Sequence, residues 1–154
     1  MSFRIAGLDP APFQHLHALP DVDLAERGAS RVRIETRQVA PCRISLDDAE
    51  IGETVLLLNY THQPAQNPYH QQGPIYVREV ERRSEFTSEI PPAMARRTLS
   101  LRGFDAADMM IEADLTEGVE AAALITRFFA NPDAAYIHAH YARRGCFAAQ
   151  IERA

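Results

Sequence analysis

Residues 109–141 read MMIEADLTEGVEAAALITRFFANPDAAYIHAHY, and the period of their apolar positions changes twice. From Met109 to Leu115, Ile111, Ala113 and Leu115 alternate with Glu112 and Asp114, the two-residue repeat of a strand. From Val119 to Ala130 the positions Leu124, Ile125, Phe128 and Phe129 follow helical spacing. Thr116 or Glu117-Gly118 begins that helix and Asn131-Pro132 ends it. Tyr136 to Tyr141 returns to alternation. Strand, helix and strand together fit one βαβ crossover, whose expected hand is right.

Working outward, Leu99–Phe104 and Met109–Leu115 form a hairpin around Asp105–Asp108. On the C-terminal side Arg143-Arg144-Gly145 is a turn and Cys146–Ile151 a closing strand. On the N-terminal side Phe3, Ile5 and Gly7 mark a short strand that Asp9-Pro10-Ala11-Pro12 breaks. Phe13–Leu19 is a short helical or turn segment. Asp21–Arg27 is a helix with Asp21 or Asp23 as N-cap and Gly28 past its end. Val32 and Ile34 alternate with charges in a half-exposed strand. Pro41–Leu46 is a strand or extended segment before the acidic turn 47–50. Val55–Tyr60 is apolar on both faces, as a central strand is. A polar loop from Thr61 to Gly73 separates it from the strand Ile75–Val77, and Glu79–Pro92 reads as a charged surface loop. Strands outnumber helices. The expectation is a single α+β domain over residues 1–154, with a mostly antiparallel sheet and two or three helices.

Composition narrows the function classes. The hydrophobic fraction of 46% and charged fraction of 24% are those of a globular chain, not a disordered one. A net charge of −5 argues against nucleic acid as a partner, because phosphate backbones need clustered positive charge. All 16 basic residues are Arg, which removes a lysine Schiff base or lysine general base and supplies planar forks suited to carboxylates and phosphates. Two cysteines, Cys42 and Cys146, are too few for a disulfide scaffold or a four-cysteine zinc site. The first residues lack a long apolar run and no stretch is long enough to span a bilayer, so the expected address is cytoplasmic, without membrane association. No Gly-rich phosphate loop, H-E-x-x-H, G-x-S-x-G or C-x-x-C occurs.

Three constellations could carry chemistry. In the strand Tyr136–Tyr141, His138 and His140 point to one face. If the helix covers the apolar faces, Glu112 and Asp114 join them on the other, with Arg102 and Ser100 nearby. His138 and His140 are then candidate metal ligands, completed by carboxylates or His62; the alternative is a solvated polar face. Arg143-Arg144-Gly145-Cys146 could grip one anion with two guanidinium forks and turn N–H groups; the alternative is a plain hairpin turn. Cys146 beside these arginines could be a nucleophile with His62, His138 or His140 as base, or simply a buried small residue, and Cys42 beside Arg43 invites the same question. The run Asn59-Tyr60-Thr61-His62 with Tyr69 follows a buried strand and could line a pocket, the tyrosines otherwise serving as lids on the core.

The chain resembles the bacterial family known as domain of unknown function 1203. The resemblance rests on Pro41-Cys42-Arg43 with Leu46, on Leu57–Pro64, on Pro68-Tyr69 with Gly73-Pro74-Ile75, and on His138 to His140 followed by Ala142-Arg143-Arg144-Gly145-Cys146-Phe147. It runs nearly end to end and implies one whole unit, without an activity or cofactor to carry over. The residues themselves point first to a pocket protein, either a binder or an enzyme, for a small anionic or polar metabolite. A non-catalytic binding or assembly module, such as a homodimer, and a His-x-His metalloprotein are the alternatives.

Overall fold

The structure, a computed structural model, describes residues 1–154. In chain order the elements are β1 (Phe3–Ala6), α1 (Ala11–His17), α2 (Asp21–Glu26), β2 (Ser30–Arg33), β3 (Thr54–Gln63), β4 (Gln71–Val77), β5 (Glu85–Thr87), α3 (Pro92–Ala95), β6 (Thr98–Phe104), β7 (Met110–Glu117), α4 (Ala121–Ala130), β8 (Tyr136–Tyr141) and β9 (Phe147–Arg153). They form a six-stranded sheet in the order β5-β1-β9-β8-β6-β7 and a three-stranded sheet in the order β2-β3-β4. Every pairing between these strands is antiparallel, giving an α+β fold. Four α-helices are present where two or three were expected, the extra one being the four-residue α3 behind Pro91-Pro92. No helix is long and apolar enough to cross a membrane.

The opening segment folds as its periodicity dictates. β7 and β8 each pair antiparallel with β6, which lies between them, so they run in the same direction and α4 makes the crossover. α4 buries Leu124, Ile125, Phe128 and Phe129 in a core with Leu99, Leu101, Ile137, Ala139 and Ile151. Each of these large side chains contributes about 1.5–3 kcal/mol by leaving water.

The register corrects one expectation. Leu101 pairs with both Asp114 and Ala139, and Gly103 with both Glu112 and Ile137. Glu112 and Asp114 therefore lie on the helix side, where Arg127 of α4 donates to Asp114 at 2.6 Å. Arg102 pairs with His138 and Ser100 with His140, so those four share the opposite face without the two carboxylates. β7 is an edge strand beyond the reach of the helix's apolar stripe, so its alternation does not report which face is buried. Its apolar residues Ile111 and Leu115 remain 37% and 63% exposed.

β3 is the central strand of the smaller sheet and is buried on both faces. Leu56 and Leu58 pack with Phe13, Leu24 and Cys42 on one side, while Val55 packs with Ile34, Ala40 and Ala49 on the other. β3 and β4 run further than expected, through Gln63 and from Gln71, so the loop between them shrinks to residues 64–70. The charged segment 79–92 contributes a short strand, β5, to the edge of the large sheet. Residues 41–48 are not a strand: the chain turns back on itself, with single bridges Pro41 to Asp48 and Cys42 to Tyr76. The buried Cys42 thiol organises this turn by accepting the amide N–H groups of Ile44, Ser45 and Arg78 at 3.2–3.4 Å.

Candidate functional site

Two polar assemblies flank the β8–β9 turn. The first is a box of rings between the sheets. β3 carries His62 onto the face of the large sheet, where its ring stacks on Phe147 at 5.0 Å. His140 lies 5.0 Å and His138 6.1 Å from it, centroid to centroid. Phe104 and Tyr136 close the box against His138 at 5.1 Å each. Each histidine has one nitrogen held by an oxygen: His62 Nε2 by Gln71 Oε1 at 3.1 Å, His138 Nε2 by Gln150 Oε1 at 3.2 Å, and His140 Nδ1 by the Gly145 carbonyl at 3.0 Å. Carbonyl oxygens accept, so these nitrogens donate. Burial pulls the pKa of His138 down to about 4 and of His140 to about 3, and lowers that of His62. Nδ1 of His62 and of His138 has no hydrogen-bond partner. No three His, Cys, Asp or Glu side chains are grouped as a metal ion would require. The box locks the sheets together, helped by Gln63, which donates to the Tyr136 hydroxyl at 2.9 Å while that hydroxyl donates to Asp108 at 2.6 Å.

The second assembly lines a cavity of about 560 Å³. Leu57, Pro74 and Tyr76 of the small sheet form one part of its wall; Thr98, Tyr141 and the turn Arg143–Cys146 come from the large sheet. Gln38, Val39, Pro41, Arg43, Arg96 and Arg97 complete it, and Glu117 is its only carboxylate. Arg96 and Arg97 are already engaged: Asp48 accepts from Arg97 at 2.6 and 3.1 Å and from Arg96 at 3.0 Å, and Asp47 accepts from Arg96 at 2.7 Å. Asp48 is itself buried and is the only carboxylate on Arg97, so Asp48→Asn is expected to cost about 2 kcal/mol by stranding that guanidinium, while Arg96 keeps Asp47. A lowered urea midpoint at unchanged slope would show it; an unchanged midpoint would mean that water already satisfies Arg97.

Arg43 is different. It is 3% exposed and has no carboxylate partner. Its Nε donates to the Phe147 carbonyl at 2.7 Å and its Nη1 to the Pro41 carbonyl, leaving Nη2 without a partner in the chain. Its guanidinium carbon lies 5.0 Å from the Tyr141 ring centroid, and that of Arg97 5.2 Å. Burial works against the Arg43 charge and lowers its pKa. The buried Tyr141 hydroxyl also has no partner, and burial pushes its pKa up to about 12, so it keeps its proton and can donate. Arg143 and Arg144 are exposed at the mouth and free of any ion pair, on a turn that Gly145 completes at φ 77°.

The residues singled out from sequence thus divide. Arg143, Arg144 and Cys146 line the cavity; His62, His138 and His140 assemble in the ring box. The Cys146 thiol points to the Arg144 carbonyl at 3.8 Å and pairs with no histidine. Tyr60 packs between Phe13 and Phe147, and Tyr69 sets its ring edge on Phe104. Asn59 is exposed opposite Pro74 in the register. Sequence reasoning missed Arg43, Arg97 and Tyr141. Tyr141 ends the His-x-His strand on its apolar face, where it reads as core. Arg43 sits in a segment that looks extended, where alternation would turn it to solvent.

No curated protein and no solved structure shows significant similarity to the chain. The model of the family described as protein of unknown function (DUF1203) matches residues 39–153, a span that holds both assemblies, and the chain belongs to that family.

Proposed function

We propose that the protein binds a small anionic metabolite in the arginine-lined cavity. The observation that carries this reading is Arg43, a buried cation with free N–H groups and no counter-ion. An uncompensated buried charge is penalised by several kcal/mol, and an incoming anion removes that penalty. The unpaired Arg143 and Arg144 extend the same field to the mouth. The overall charge of −5 opposes anions at long range, so capture depends on these local groups.

Thermal unfolding in inorganic phosphate against chloride at equal ionic strength tests the reading. Specific binding stabilises by about 2.7 kcal/mol at a hundredfold excess over Kd. The double variant Arg143→Gln, Arg144→Gln, placed on an exposed turn, should weaken phosphate at least tenfold by calorimetry without lowering stability in chloride. No difference between phosphate and chloride, in unfolding or in titration, would end the proposal.

A second reading, an assembly module that pairs two copies, is favoured by one observation. The eight-residue edge strand β7 exposes Ile111 and Leu115 on one face, and such an edge is a template for strand pairing. Light scattering that finds only monomer at the highest attainable concentration would remove it.

A further inference from the structure

The cavity's two kinds of wall define its ligand more narrowly. We infer, resting on the anion reading above, that the ligand is an organic phosphate monoester with an apolar body. The charge count comes first. Arg96 and Arg97 are matched by Asp47 and Asp48, whereas Arg43, Arg143 and Arg144 have no carboxylate partner. Glu117, the one carboxylate on the wall, offsets one of these three charges and leaves two, so a single ligand carboxylate would leave one of them uncompensated. A phosphate monoester carries close to two negative charges at neutral pH and three acceptor oxygens. It can take the Nη2 hydrogens of Arg43 and a guanidinium fork from the mouth together.

The opposite contribution is apolar. Val39 is 44% exposed, and Leu57 and Tyr76 are half-buried facing the same space, with Pro74 beside them. An inorganic anion would leave this wall wet. A volume of about 560 Å³ is that of a small-molecule site and far exceeds one phosphate group. Head and body are held by different sheets, because the apolar wall comes mostly from β3 and β4 and the cationic turn from β8 and β9. The two parts can therefore be altered independently.

Isothermal titration with inorganic phosphate, 1-naphthyl phosphate and 1-naphthalenesulfonate separates the contributions. The expected order is naphthyl phosphate at least tenfold tighter than inorganic phosphate, and at least tenfold tighter than the sulfonate, which shares the body but carries one charge. Val39→Ser, at an exposed position, and Leu57→Ser should each narrow the gap between naphthyl and inorganic phosphate while leaving inorganic phosphate unchanged. Arg143→Gln with Arg144→Gln should weaken both phosphates in parallel. Equal affinity for the two phosphates, or for phosphate and sulfonate of the same body, overturns the monoester assignment and leaves the anion reading standing. No binding of any of the three probes overturns both.

Discussion

Between pH 7 and pH 5 the protein is expected to lose about 4 kcal/mol of folding stability, and the ring box carries the loss. In the unfolded chain His138 and His140 titrate near the ordinary 6.5; in the folded chain they do so at about 4 and about 3. The sign follows from which state binds protons first. Above pH 6.5 both states hold neutral imidazoles and stability is full. As pH falls below 6.5 the unfolded chain takes up two protons that the folded chain refuses, and each group removes about 1.36 kcal/mol per pH unit until its folded pKa is reached. His62, lowered in the same direction, adds to the loss.

The charges around the box do not rescue a proton. Arg102 works against protonation of all three rings, His62 against that of His138 and His140, and His138 against that of His140; the Asp108 carboxylate, held by Tyr136, favours it only weakly at His138. Folding free energies of single domains are about 5–15 kcal/mol, so the chain should approach its unfolding midpoint well above the range where its paired carboxylates protonate. Urea titrations at pH 7, 6 and 5 measure this. The double variant His138→Gln, His140→Gln should be less stable at pH 7 and lose much less across the window, the remaining slope being that of His62. A wild-type midpoint that does not move between pH 7 and 5 would show that these rings are not held neutral by burial.

The history of these two histidines shows what a sequence carries. Their shared face was legible because strand geometry fixes it at period two. So was α4, whose spacing and Asn131-Pro132 stop are local properties, and so was the doubly buried β3. What was not legible was register. Alternation says that Glu112 and Asp114 share a face, but only the pairing Leu101 to Asp114 says which one. At an edge strand the hydrophobic pattern loses its usual authority, since neither face is fully covered. The cavity depends on longer-range closure still. Arg43 reaches the Phe147 carbonyl across the fold, 104 residues away in sequence, and nothing in its neighbourhood announces that partner. The pair Arg143-Arg144 was visible as an anion candidate from its turn, whereas the buried cation behind it was not.

What places Arg43 there leads to the second large effect: Gly7→Ala should destabilise the protein by about 3 kcal/mol or more and abolish its response to phosphate. Gly7 lies where β1 ends against the turn 42–46. Its amide donates to Ser84, the Leu8 amide donates to the Arg43 carbonyl at 2.8 Å, and the Ile44 carbonyl accepts from Ser84 at 3.0 Å. A Cβ on Gly7 would stand 1.9 Å from the Ile44 oxygen and 2.7 Å from its carbonyl carbon. These are backbone atoms in hydrogen bonds and cannot swing away as a side chain would. The turn must shift, and Arg43 is the residue before Ile44, with its guanidinium fixed to Pro41 and Phe147. Gly28→Ala is the control. There no atom lies within 4 Å of the added methyl, and only the positive φ of 69° is strained, so a loss of about 1 kcal/mol with an intact phosphate response is expected. Equal losses in the two variants, or a Gly7→Ala protein that still answers to phosphate, would mean that the close approach of β1 is not what sets Arg43 in the cavity.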